Sequence, residues 1–201
     1  MTETDNKALR TRLLGVTALA ASYCMTVENA AESEPQEFVA RMIRILPSLY
    51  SEFTDIVADD SGCRNEDSDP EREEEWDMYG KVAIEEEDAD GSRYYGSYVD
   101  EDYYNSVRRH MEQLLGPDDT YLETFEEDMK YSDTPIAASV SESLADIFQP
   151  LYNFISVVKD TDGEQLEGAY RHCHEEFEAY WSQTLCNVLR ALNHIYYRNR
   201  Q

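Results

Sequence analysis

Apolar residues recur along this chain at helical rather than strand spacing. Leu9, Leu13, Val16, Ala20, Cys24 and Val27 follow one another by three and four, predicting an amphipathic helix over residues 5–31 with Ala-rich faces suited to close packing. Ser33-Glu34-Pro35 closes it and opens the next, because proline at a first-turn position gives up an N–H that has no partner there anyway. Phe38, Met42, Ile45, Leu49 and Phe53 then carry a helix over 36–56, with a kink expected near Arg44 to Leu46 from Pro47. Asp100 is placed to cap a third helix bearing Tyr103, Val107, Met111 and Leu114, which Gly116-Pro117 stops. A short helix or turn is expected over 121–129. Val140, Leu144, Ile147, Leu151, Phe154 and Val158 define the next long helix, with Ser139-x-x-Glu142 in capping-box form and Pro150 bending it midway. After the Asp162-Gly163 turn, a last helix over 164–197 carries Leu166, Tyr170, Cys173, Phe177, Tyr180, Trp181, Leu185, Val188, Leu192 and Ile195. Short connections between long helices favour antiparallel neighbours, so the expected fold is all-α: an up-and-down multi-helix bundle, one domain over residues 1–201. No strand-period run is long enough to build a sheet.

The pattern breaks once. Residues 57–102 hold 18 acidic side chains against 4 basic, with the runs Glu73-Glu74-Glu75 and Glu85-Glu86-Glu87-Asp88. Self-repulsion of this kind predicts an acidic, partly disordered insertion after the second helix, at about 57–98. Trp76, Tyr79 and Val82 have helical spacing within it, and Tyr94, Tyr95 and Tyr98 are compatible with a short extended piece.

Charge narrows the function classes. Asp and Glu number 43 against 17 Lys and Arg, a formal net charge of −26, while 41% hydrophobic residues suffice for a core. Such a surface repels phosphate backbones and anionic membranes, so direct nucleic-acid or membrane binding is not expected. Lys7, Arg10 and Arg12 before the apolar run 13–21 imitate a secretory signal. Glu3 and Asp5 dilute that positive region, and the helical spacing continues beyond any cleavage point, which favours a retained first helix and a cytoplasmic protein. Cys24, Cys63, Cys173 and Cys186 form no Cys-x-x-Cys pair. Three of them lie in apolar helical patterns and read as buried thiols, while Cys63 sits among acids that disfavour a thiolate.

Candidate chemistry is sparse. None of His110, His172, His174 and His194 is preceded three residues earlier by glutamate, so the Glu-x-x-His signature of bundle di-iron sites is missing. His174 and Glu178 stand i, i+4 and read as a surface pair, two ligands being too few for zinc. Glu142, Asp146, Gln149 and Asn153 form a polar stripe that reads as a solvent face, with a paired-carboxylate acid–base site as the catalytic alternative. There is no Gly-x-Ser-x-Gly and no phosphate-cradling loop, and no metal or cofactor is expected. The densest mixture of functional groups between helices is Lys130-Tyr131-Ser132-Asp133. Ser132 or Asp133 would cap the following helix, leaving Lys130 and Tyr131 for contact with a partner or ligand. Fifteen tyrosines add outward-facing rings of the type favoured at interfaces.

The blocks Asp102-Tyr103-Tyr104 to Leu114-Leu115-Gly116, Asp119-x-Tyr121-Leu122-Glu123-x-Phe125 and Asp128-Met129-Lys130-Tyr131-Ser132-Asp133-x-Pro135-Ile136 resemble a family of small acidic bacterial helical proteins filed as a domain of unknown function. Ser141-Glu142-x-Leu144-Ala145-Asp146-Ile147 and the run Tyr180-Trp181 to Ala191-Leu192 extend the resemblance, which lies chiefly over residues 98–197. It implies a cytoplasmic helical domain, and its recurring blocks single out Lys130 to Asp133 and Trp181. Together the charge, the tyrosines and the missing catalytic signatures predict a non-enzymatic interaction module, an acidic adaptor or regulator of a partner with a basic surface. The alternative is a small-ligand-binding or hydrolytic bundle enzyme with a pocket near the Pro150 kink, lined by Asp146, Tyr131, His174 or Trp181.

Overall fold

A computed structural model describes residues 3–56, 97–123 and 136–198. The acidic stretch 57–96 with Cys63, and residues 124–135 with Lys130, Tyr131, Ser132 and Asp133, lie outside the described residues. Within them the chain is an all-α bundle. Helix α1 (Glu3–Glu28) ends in a 3-10 turn (Asn29–Glu32), and α2 (Pro35–Asp55) starts on Pro35 as the Ser-Glu-Pro signal requires. Helix α3 (Glu101–Leu115) is followed by a second 3-10 turn (Gly116–Asp119), α4 (Val140–Asp160), α5 (Leu166–Glu176) and α6 (Ser182–Arg198). Helix α1 packs on α2 and α4, α2 on α6, and α3 on α4, which also meets α5 and α6.

Local chemistry sets the ends. The Asp100 carboxylate accepts from Tyr103 N at 2.7 Å and the Ser139 hydroxyl from Glu142 N at 3.3 Å, each satisfying a first-turn N–H that has no helical acceptor. Gly116 takes φ +54° at the end of α3, in the positive range that a side chain disfavours. Pro47 and Pro150 both stay inside their helices, α2 and α4, so neither ends one. Leu13, Val16, Phe38, Phe53, Val107, Met111, Leu144, Phe148, Tyr170, Trp181 and Leu192 are among the buried side chains, and every helix contributes to this one apolar cluster. No helix among the described residues is long and apolar enough to cross a membrane.

Two features depart from the periodicity. Strands β1 (Thr120–Leu122) and β2 (Ala137–Ser139) pair antiparallel, with Tyr121 opposite Ala138, where only a helix or turn is expected. Three residues are too few for a period of two to register in a sequence, and the pairing is anchored by tertiary bonds. The long last helix is also not uniform: a π-helical segment, Phe177–Trp181, joins α5 to α6. Its wider turn puts Trp181 wholly inside and leaves Tyr180 56% exposed, although both rings fall on the apolar stripe of the sequence.

Glu176, half-buried just before this segment, carries a testable cost. Burial pushes its carboxyl above the ordinary 4.5, His172 opposes the shift and Glu175 adds to it. A raised folded-state value means that ionisation is penalised on folding. The penalty is absent below about pH 4, where both states are protonated, and grows to its full size as pH rises towards neutral. Glu176→Gln should therefore raise Tm at pH 7 and leave it unchanged near pH 3; thermal melts at the two pH values check this, and an equal gain at both would refute the electrostatic cause.

Candidate functional site

Helix α3 packs along α4 so that Tyr104 faces the stripe of polar residues on α4. Its hydroxyl donates to Asp146 Oδ1 at 2.6 Å, and Tyr180, from the π segment, donates to Asp146 Oδ2 at 2.9 Å. One carboxylate is thus held between phenols from two elements. Beside it, the Tyr121 hydroxyl of β1 lies 3.0 Å from Ser143 Oγ and 3.2 Å from Glu123 Oε2. Ser143 gives its own proton to the Ser139 carbonyl at 2.8 Å, so the single phenol proton of Tyr121 is shared between Glu123 Oε2 and Ser143 Oγ. Asn187 Nδ2 of α6 donates to the other Glu123 oxygen, and Arg190 donates to the Leu122 carbonyl at 3.0 Å, tying β1 to α6. Glu142, exposed one turn before Asp146, adds a third acid to the set.

The electrostatics fix the protonation states. Burial first, and then the hydrogen bond to Asp146, pushes the Tyr104 phenol well above its ordinary value of 10. Burial and the charge of Asp146 push Tyr180 up to about 12, and burial with Glu123 pushes Tyr121 up to about 12. All three phenols are neutral donors at physiological pH. The arrangement orients carboxylate oxygens and presents an aromatic face; it does not generate a phenolate nucleophile.

The stripe of Asp146 and Asn153 is therefore not a solvent face. Asn153 Oδ1 accepts from Tyr98 N at 2.8 Å, so the lead-in to α3 and α3 itself cover the stripe that periodicity assigns to water. Only Glu142 keeps the exposure expected of it. An amphipathic pattern records which side chains are polar, but not that a neighbouring helix brings tyrosines to meet them. The excess of tyrosines was the available signal.

His174 also changes place. It is 5% exposed, its Nε2 lies 3.0 Å from the Phe53 carbonyl near the end of α2, and its Nδ1 is 4.0 Å from Glu178 Oε2. It serves the end of a helix rather than forming a surface pair. No group of three or more His, Cys, Asp or Glu placed to hold a metal occurs among the described residues. Cys24 and Cys173 are buried thiols pushed up mainly by burial, as the apolar pattern implies, whereas Cys186 is exposed. Trp181, the one described member of the contact set read from the sequence, is fully buried, 4.9 Å from Phe53 and 4.6 Å from Phe177 between ring centroids. No atom of it faces a partner in this arrangement; it supports the segment that presents Tyr180. Two grooves indent the bundle away from Pro150, one between α1 and α2 and one between the start of α2 and the end of α6.

No curated protein matches the chain. Among solved structures, protein BF1032 from Bacteroides fragilis is similar, with a TM-score of 0.63 and 26% sequence identity, covering 92% of this chain and 91% of that one. The model of a family described as a domain of unknown function, DUF5063, matches residues 9–198, so the likeness reaches through α1 and α2 as well as the C-terminal half, and the chain belongs to this family.

Proposed function

We propose that the protein is a non-enzymatic interaction module that engages a basic protein surface through the carboxylate–tyrosine site on α4. The observation that carries this reading is the Asp146 carboxylate held by Tyr104 and Tyr180, with Glu142 and Glu123 beside it. A carboxylate has about four lone-pair directions, and two phenol donors leave capacity on each oxygen for a guanidinium or ammonium group. The exposed Tyr180 ring offers a cation–π face next to that charge. Phenols held neutral cost the site none of its acceptor character and add donors that fix the carboxylate in place. The net charge of −26 accelerates encounter with a basic partner and selects it, more than it adds affinity. Buried free thiols at Cys24 and Cys173, and a first helix packed into the core through Tyr23 and Val27, support a cytoplasmic setting.

An arginine-rich peptide is a defined probe. Its binding should weaken as salt rises, and Asp146→Asn with Glu142→Gln should lower its affinity about tenfold, the scale of one to two kcal/mol for well-placed charge pairs. The control is Glu37→Gln with Glu112→Gln, which removes the same charge from exposed positions on α2 and α3. Equal losses in both double variants, read by fluorescence anisotropy, would mean that the peptide senses net charge alone and would overturn the assignment to this site. In native lysate, a basic partner captured at low salt, released at high salt and lost from the Asp146→Asn Glu142→Gln protein is the expected companion result.

A further inference from the structure

Helix α1 is apolar on two faces. Leu13, Val16, Ala20, Cys24 and Val27 are buried in the core, yet Leu14, Ala18, Ala21 and Met25 form a second seam at four, three and four residue steps on the outside. Leu14 is 52% exposed and Met25 60% exposed. A surface helix ordinarily carries charge opposite its core face, and apolar residues repeating at this spacing are the pattern by which helices pair. Next to the seam lies a groove of about 660 Å3 between α1 and α2, lined by Ala18, Ala21, Met25, Arg41, Arg44 and Ile45.

The ends of the seam identify the occupant. Continued by the same steps into the 3-10 turn, it runs Lys7, Thr11, Leu14, Ala18, Ala21, Met25, Glu28 and Glu32, basic at one end and acidic at the other; all are exposed except the half-buried Ala21, and Glu28 also accepts from the Tyr103 hydroxyl. Turned end for end about the point between Ala18 and Ala21, this series matches itself. Ala18 meets Ala21, Leu14 meets Met25, Thr11 meets Glu28 and Lys7 meets Glu32. A parallel pairing would instead set Glu28 against Glu28 and Lys7 against Lys7. Self-complementarity under a two-fold rotation is what an isologous dimer requires. We infer that α1 is a homodimerisation helix, packing antiparallel against α1 of a second copy of this chain. The two alanines at the centre let the backbones approach closely, and the Leu14 of each copy covers the Met25 of the other. Arg10, which donates to the Gly163 carbonyl at 3.3 Å, is drawn off the seam, while Arg41 and Arg44 at the groove offset part of the repulsion between two strongly acidic chains. This surface lies on α1 and not on the α4 site, so either assignment can fail without the other.

Sedimentation equilibrium of the full chain tests it. The expected mass is twice 23.3 kDa, and Ala18→Glu should return the protein to 23.3 kDa with an unchanged helical spectrum, since Ala18 is outside the core. Lys7→Glu should weaken the dimer about tenfold at low salt, because the contact occurs twice across the two-fold axis, and adding Glu32→Lys should restore it. A protein that is monomeric up to hundreds of micromolar, or a dimer indifferent to Ala18→Glu, would overturn the inference. A dimer broken by Ala18→Glu but not restored by the charge exchange would overturn the antiparallel register, and a different protein seated on the seam while the chain alone stays monomeric would overturn the second copy as occupant.

Discussion

Trp181→Ala should destabilise the protein by about 3–5 kcal/mol, the range for removing a large aromatic side chain from a packed core. For a chain of this length each kcal/mol moves Tm by roughly 2–4 °C, so a fall of about 6–20 °C is expected in a thermal melt. The reason is position as much as size. Trp181 is completely buried and makes edge contacts with Phe53 of α2 and Phe177 of the π segment, so it joins the end of α2 to the last helix. Its indole Nε1 has no hydrogen-bond partner among the described residues, which carries a desolvation cost that a phenylalanine would not. Trp181→Phe should accordingly lose much less than the alanine variant, since the residual cavity is partly offset by removal of that unpaired N–H. Because the π segment also carries Tyr180, Trp181→Ala should weaken arginine-peptide binding even where the protein is still folded, by loosening a donor to Asp146. A Tm within about 2 °C of the parent would contradict the view of Trp181 as a core anchor.

Elements with sustained periodicity were legible in advance. The spacing from Phe38 to Phe53 places a helix over 36–56 against the observed Pro35–Asp55, and Asp100 caps α3 as its position implies, whereas α4 starts at Val140 on a Ser139 cap, beyond strand β2, and not on the Ser132 or Asp133 cap expected before Pro135. These are local effects, decided within one or two turns of chain. What the pattern could not carry is set by contacts between distant segments. The polarity of Asp146 is evident, but Tyr104 lies 42 residues away and Tyr180 lies 34 away, and only the packing of α3 and of the π segment against α4 brings them to it. His174 looks the same in sequence whether its face meets water or the Phe53 carbonyl 121 residues distant. The π segment adds a subtler limit. Both Tyr180 and Trp181 suit an apolar stripe, and a widened turn decides which of the two is buried. Lys130 to Asp133 stand out in sequence by local richness in functional groups, whereas the described site is assembled from segments distant in sequence, Glu123 among them.

Asp119→Ala should be the second most damaging of these substitutions, for a reason that no periodicity contains. The residue is buried at the end of the 3-10 turn after α3, and its carboxylate reaches the first turn of α4: Oδ1 accepts from Ser141 N at 2.8 Å, and Oδ2 accepts from Ser139 Oγ at 2.7 Å and Ser141 Oγ at 2.9 Å. Asp119 and Ser139 between them satisfy two of the N–H groups that a helix leaves open at its start, Asp119 doing so from 22 residues away. Removing the carboxylate orphans a buried backbone N–H, leaves the Ser139 and Ser141 hydroxyls with each other at 2.8 Å, and withdraws a negative charge from the positive end of α4, for a loss of about 2–4 kcal/mol. Ser139→Ala removes the local cap and one bond to Asp119, and should cost only about 1 kcal/mol. The bonds are shared, so the loss in the double variant should fall short of the sum of the single losses, as expected for groups in one network. Denaturant titration measures all three, and amide exchange at Ser141 should accelerate in Asp119→Ala more than exchange in the middle of α4. The functional consequence follows from the same geometry. Asp119 sets the position of β1 against the start of α4, and β1 carries Tyr121 towards Ser143 and Glu123, so a folded Asp119→Ala protein should bind the arginine peptide more weakly while keeping every acid of the site. Unchanged Ser141 exchange together with unchanged peptide affinity would show that β1 and α4 hold their places without this carboxylate.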